Sequence, residues 1–169
     1  VYADGTAIPE VTASGVWTGL STGARCDYDN DAINALTYGR LYNWYAVNNG
    51  SGLCPSGWHV PTDGEWTALE TYLGANGHSG AEGTALKSTS GWNFGGNGGT
   101  DNFGFSALPG GRRDHYSGDF NVAGYDGYWW SSSPRPSGAA WARNLPFNLP
   151  LIYRTPVSYT HLRAHETSI

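Results

Sequence analysis

The chain has 169 residues, which fits one domain able to bury about 70% of its unfolded surface. Only 14% of residues are charged and 8 are Trp and 11 Tyr, the opposite of a disordered composition, which is highly charged and poor in aromatics. The net charge is −5, and the nine Lys and Arg are scattered singly apart from the pair Arg112-Arg113, which excludes the basic stripe that nucleic-acid binding needs; no run of about 18 apolar residues is present to span a membrane.

The 25 Gly supply the positive φ that turns demand, so the chain reads as turn-rich with short strands. Residues 1–25 are expected to form short strands and turns with Val16 and Trp17 packed inward. Residues 34–48 place Tyr38, Leu41, Tyr42 and Tyr45 at i, i+3, i+4 and i+7, predicting a helix that ends at the turn Asn48–Gly52. The strongest helix signal is at 63–73. Thr62 and Glu65 have capping-box spacing, Pro61 precedes them, and Trp66, Leu69, Tyr72 and Leu73 share a face. Gly74 stands where a left-handed terminating residue is wanted. Residues 74–104 hold ten Gly without regular period and read as a long loop. Phe103–Leu108, Tyr128–Ser132, Ala140–Leu145 and Leu151–Arg154 then read as short antiparallel strands. Pro134, Pro136, Pro146 and Pro150 are confined to loops or sheet edges, since proline cannot donate to a ladder.

Three kinds of chemistry can be weighed on these elements. Asp27, Asp29 and Asp31 alternate like the opening of a calcium loop, but Ala32 and Tyr38 stand where that loop needs Gly and Glu; the cluster reads instead as an acidic turn or a helix cap. Asn97, Thr100, Asp101 and Asn102 form a second oxygen-rich cluster, which suits Ca²⁺ or an Asx-turn loop. Gly95–Gly99 lacks every phosphate-loop spacing. Cys54 with His59, and Asp114-His115 near Ser117, lie outside any nucleophile motif, so no catalytic residue is assigned. Cys26 and Cys54 are compatible with one disulfide or two thiols. With few charges and many aromatics, an exported, oxidising setting is expected. Arg112, Arg113, His115, Tyr116, Tyr125, Arg135, Trp141, Arg143, Phe147 and Tyr153 gather the residue types of binding hot spots and are the candidate ligand contacts. Trp129, Trp130 and also Trp141 read more readily as core than as ligand contacts.

The runs Asp4–Pro9, Tyr38–Val47, Leu53–Thr62, Gly104–Gly111 and Gly127–Ser132 together resemble the Fibrobacter succinogenes major paralogous domain. That resemblance covers about residues 2–155 and implies an α+β, C-type-lectin-like fold. It would have short antiparallel strands, one or two helices and long Gly-rich loops, and is akin to the formylglycine-generating enzymes. It also implies an exported bacterial protein, secreted or at the cell surface. Loops of lectin-like folds commonly hold Ca²⁺, which makes the 97–102 cluster the metal candidate. The enzyme cousins use a Cys late in the chain, and no Cys follows Cys54. The expected function is therefore non-catalytic recognition of an extracellular glycan or protein, the alternatives being a formylglycine-generating-type enzyme and a structural adhesin or surface-layer module. The chain contains no Met, so upstream sequence is expected to be missing. Residues 157–167 resemble a translated sequencing adapter. On that reading one lectin-like domain spans 1–156, cut at both ends, and 157–169 form an artefactual tail outside the fold.

Overall fold

A single sheet with a core on each face organises the molecule. The computed structural model describes residues 1–93, 98–136 and 138–160. In chain order the elements are α1 (Ser14–Trp17), β1 (Arg25–Cys26), α2 (Ala32–Tyr38), β2 (Leu41–Tyr42), α3 (Trp44–Val47), α4 (Asp63–Leu73) and α5 (Glu82–Leu86). They are followed by β3 (Arg112–Arg113), β4 (Phe120–Asn121), β5 (Asp126–Arg135), β6 (Ala139–Pro146) and β7 (Tyr153–Ser158). β5, β6 and β7 form an antiparallel sheet in that order, and β1–β2 and β3–β4 are two small antiparallel pairs. The fold is α+β.

Alternation along β5 and β6 divides the protein. Trp130, Ala140, Ala142 and Val157 face one core, with Tyr2, Ile8, Trp17, Leu41, Tyr42 and Trp44. Trp129 and Leu145 face the other, with Trp66, Leu73 and Leu86. The neighbours Trp129 and Trp130 are thus both buried, in different cores. Three indoles of the first core find acceptors: Trp130 Nε1 donates to the Tyr42 carbonyl at 2.8 Å, Trp44 to Ser131 at 3.1 Å and Trp17 to Thr160 at 2.8 Å. A buried Trp that satisfies its N–H keeps its large apolar area without the cost of an orphan donor.

α4 begins as its sequence dictates. The Thr62 hydroxyl accepts from Glu65 N at 3.2 Å, and a Glu65 carboxylate oxygen accepts from Thr62 N at 2.7 Å. It does not end as expected. Gly74 is right-handed helical, the chain continues through a π-helical turn over Gly74–His78, and Gly77 (φ 90°) takes the left-handed position. Tyr72, expected on the inner face, is exposed, its ring edge against Phe103 instead.

The helix expected over 34–48 is broken in two. Gly39 adopts φ 73°, after which Leu41–Tyr42 pair with β1. Asn43 then caps α3, its side-chain oxygen accepting from Ala46 N and Ala24 N, each at 3.0 Å. The i, i+3, i+4 pattern marks real burial, but Leu41 and Tyr42 are buried as strand residues. Val16 is exposed, and only Trp17 of that pair points inward. In the Gly-rich stretch, α5 and a parallel bridge from Lys87 to Ala107 replace continuous loop. Gly99 lies against this bridge, and a β-carbon there would overlap the Lys87 carbonyl. The expected strand Phe103–Leu108 reduces to that single bridge.

The largest departure is at the end of the chain. Residues 157–160, expected to lie outside the domain, are part of the fold. Val157 is buried as a β7 residue, and Tyr159 stacks on Trp44 with ring centroids 4.3 Å apart. Two alternate apolar positions suffice to seat an edge strand on a core already open to receive it.

Candidate functional site

The ten candidate contacts separate into two buried residues and four groups. Arg113 and Arg143 have no exposed surface, which corrects their reading as ligand contacts. The Arg113 guanidinium donates to the carbonyls of Gly118 (2.7 Å), Val11 (2.7 Å) and Thr12 (2.6 Å). It also lies over the rings of Trp17 and Phe120, so it ties the β3–β4 pair to the N-terminal segment. Arg143 reaches from the sheet to α4, donating to Asp63 Oδ1 at 2.7 Å and Glu70 Oε1 at 2.5 Å. The neighbouring strand places Arg154 directly beside it. Like charges so placed repel, and Asp63 resolves this by accepting also from Arg154 Nη2 at 2.7 Å. Bonding to Arg154 holds the Asp63 carboxyl below its ordinary pKa, with Arg143 adding to the effect.

The exposed candidates occupy different places. At the end where β5 turns into β6, the Arg135 guanidinium lies 4.5 Å from the Trp141 ring centroid and that of Arg154 lies 3.2 Å from it. Trp141 is half-buried on the central strand. Arg154 is neutralised by Asp63, but among the described residues no carboxylate pairs with Arg135. At the opposite end of the same pair, Tyr125 and Phe147 meet edge to face at 5.1 Å; the hairpin separates them from Arg135 by roughly 25 Å of strand. Close to that end in sequence, Arg112 lies over the Tyr128 ring, whose hydroxyl donates to Asp126. In the β3–β4 turn, His115 touches Tyr116, which is 83% exposed, and burial pulls the His115 pKa down. Tyr153 pairs with Asn144, so alternation sends it to the other face of the sheet from Trp141.

Residues 1–163 match the family model of the Fibrobacter succinogenes major domain. The chain belongs to this family. No curated relative and no solved structure matches it.

In this Fibrobacter succinogenes major domain the metal candidates carry internal bonds. Asn97 lies outside the described residues. Asp101 accepts from the Ser106 amide and hydroxyl, each at 2.7 Å, and the Thr100 hydroxyl donates to Asn102. Among the described residues no group of three His, Cys, Asp or Glu is placed to hold a metal ion. Cys26 is buried, which pushes its thiol up to about 12, and no disulfide joins it to Cys54. Among the described residues no helix is long and apolar enough to cross a membrane. Sequence reasoning missed a groove of about 220 Å³ beside the start of α4, between Trp58, His59, Pro61, Glu65 and Leu69. There His59 Nε2 pairs with Glu65 at 2.9 Å. The capping box located this helix start, but nothing in the sequence marks Trp58 as exposed.

Proposed function

We propose that this domain is a non-catalytic recognition module of an exported bacterial protein. Its α+β architecture is read as C-type-lectin-like, and its ligand as an anionic extracellular glycan or protein bound at Trp141 and Arg135. One observation carries this reading: the Arg135 guanidinium is laid on a half-buried indole, with no carboxylate partner among the described residues. A guanidinium held flat on a ring keeps its donors in a fixed plane, which suits two-point contact with a carboxylate, sulfate or phosphate.

Binding to arrayed acidic glycans and to displayed acidic peptides tests the proposal. Arg135→Ala and Trp141→Ala are expected to weaken the selected ligand at least tenfold, Arg135→Ala without change in melting temperature. A ligand that binds both variants like the parent overturns it. The same arrays with and without millimolar Ca²⁺ test the calcium expectation at Thr100, Asp101 and Asn102.

A further inference from the structure

A second pocket sets one buried carboxylate among apolar side chains. It has a volume of about 460 Å³ and is lined by Asp27, Ala35, Ile33, Leu36, Arg40 and Tyr42, among others. This is within the size range of small-ligand sites, about 300–1,000 Å³.

Two features of it are unexplained by the fold. Asp27 is 7% exposed, and its Oδ1 is buried without a hydrogen bond. Its ionic neighbour among the described residues is Arg40, whose Nε stands 3.5 Å away on a half-exposed side chain. That is beyond hydrogen-bonding distance. A carboxylate removed from water without donors is costly and attracts a cation that can supply them. The other two carboxylates of the 27–31 cluster are not part of this. Asp31 caps α2 by accepting from Ile33 N at 2.9 Å, and Asp29 sits at φ 54° in a short 3-10 turn. The second feature is α2 itself. It buries none of its seven residues, and Ile33 (69% exposed) and Leu36 (88%) form uncovered apolar walls beside the carboxylate. Apolar walls around a carboxylate with one buried, unbonded oxygen match a ligand with an aliphatic body and a cationic head. The net charge of −5 favours the approach of such a cation.

We propose that the pocket between α2 and Arg40 binds an alkylammonium group, that of a small amine or of a lysine side chain. Its ammonium displaces Arg40 from Asp27 while its methylenes cover Ile33 and Leu36. The proposal is independent of the Trp141 reading, since neither site shares a residue with the other.

Amide chemical shifts of the full chain, followed during titration with n-butylammonium chloride, test it. Saturable shifts confined to residues 27–42 are expected in the millimolar range, with 1-butanol at least tenfold weaker. Nα-acetyl-lysine methylamide binding tighter than butylammonium assigns the site to a lysine side chain. Equal or weaker binding assigns it to a small amine. Asp27→Asn is expected to lose at least tenfold. Arg40→Ala, which removes the competing guanidinium but leaves Asp27 and the α2 walls intact, is expected to tighten binding; it also serves if the Asp27 variant fails to fold. Equal affinity for butanol, no saturable shift at 27–42, or an Arg40→Ala variant that binds no tighter overturns the proposal.

Discussion

The seam between α4 and the sheet and the β5–β6 turn end of that sheet use the same pieces, arginine against tryptophan, to opposite effect. In the seam, Arg143 is wholly buried near Trp66 and holds Asp63 and Glu70. At the turn end, Arg135 lies over Trp141 with no carboxylate beside it among the described residues. Enrichment in Arg and aromatics therefore does not separate a recognition surface from an internal brace. What separates them is whether the guanidinium's donors are already used. Arg113, with three carbonyls bonded, belongs with the brace.

Breaking the seam has the largest expected effect. Arg143→Ala leaves the Asp63 and Glu70 carboxylates facing the sheet without their buried cation, a loss of about 3–5 kcal/mol in unfolding free energy. Urea denaturation reads it directly, and a loss below about 1 kcal/mol would show that the seam is not a brace. The same network sets the acid limb of stability. Asp63 titrates below its unfolded value because Arg154 and Arg143 favour the carboxylate. Its contribution is therefore complete above the ordinary carboxylate range and is lost as pH falls through the lowered folded value. In Arg154→Ala that loss is expected at higher pH than in the parent.

Local chemistry made some of this legible in the sequence and packing hid the rest. The start of α4 could be read because a capping box is completed by residues three apart. Its end could not, since the helix runs past Gly74 into a π-helical turn and Gly77, not Gly74, takes the left-handed conformation. The 34–48 segment showed its buried positions but not its break, because a strand pair and a helical face bury Leu41 and Tyr42 alike. Of the candidate site, Trp141 and Arg135 were found by residue type alone. Arg113 and Arg143 were chosen on the same ground and are interior. Arg113 bonds Val11 from 102 residues away and Arg143 bonds Asp63 from 80, and no spacing rule reaches that far. The apolar alternation of Val157 and Tyr159 was present in the sequence, but it becomes meaningful only beside the core it closes.

Lys87 carries the contrast to a third cation and an intermediate effect. It is buried, and its ammonium donates to the carbonyls of Pro146 (2.5 Å) and Leu149 (2.8 Å), with Phe147 at 3.4 Å. Lys87→Met leaves those carbonyls without their donor, an expected loss of about 2–3 kcal/mol. Burial brings the Lys87 pKa down to about 8. Between that value and the ordinary lysine value the unfolded chain binds more protons than the folded one, so this group makes stability rise with pH across that window. Melting curves from about pH 7.5 to about pH 9, below the range where the raised Cys26 thiol has the opposite slope, should show that rise in the parent and not in Lys87→Met. A smaller effect belongs to the α4 cap, where Thr62→Ala is expected to cost about 1 kcal/mol.

Arg135→Ala should have the smallest effect on stability and so sharpens the comparison most. Its guanidinium makes no ion pair among the described residues and rests on one face of a half-buried ring. A stacking contact at such a site contributes about 0.5–1 kcal/mol, and the alanine variant relieves the side chain of the entropy of being held there. Unfolding free energy is therefore expected to change by less than about 0.5 kcal/mol, against several for Arg143→Ala. If Arg135→Ala instead costs as much as Arg143→Ala, the turn end of the sheet is a second brace and its guanidinium is not held for a ligand. If stability is unchanged, a half-buried cation has been kept on an indole with no gain to the fold. Selection for binding then gives that arrangement a physical cause which folding does not.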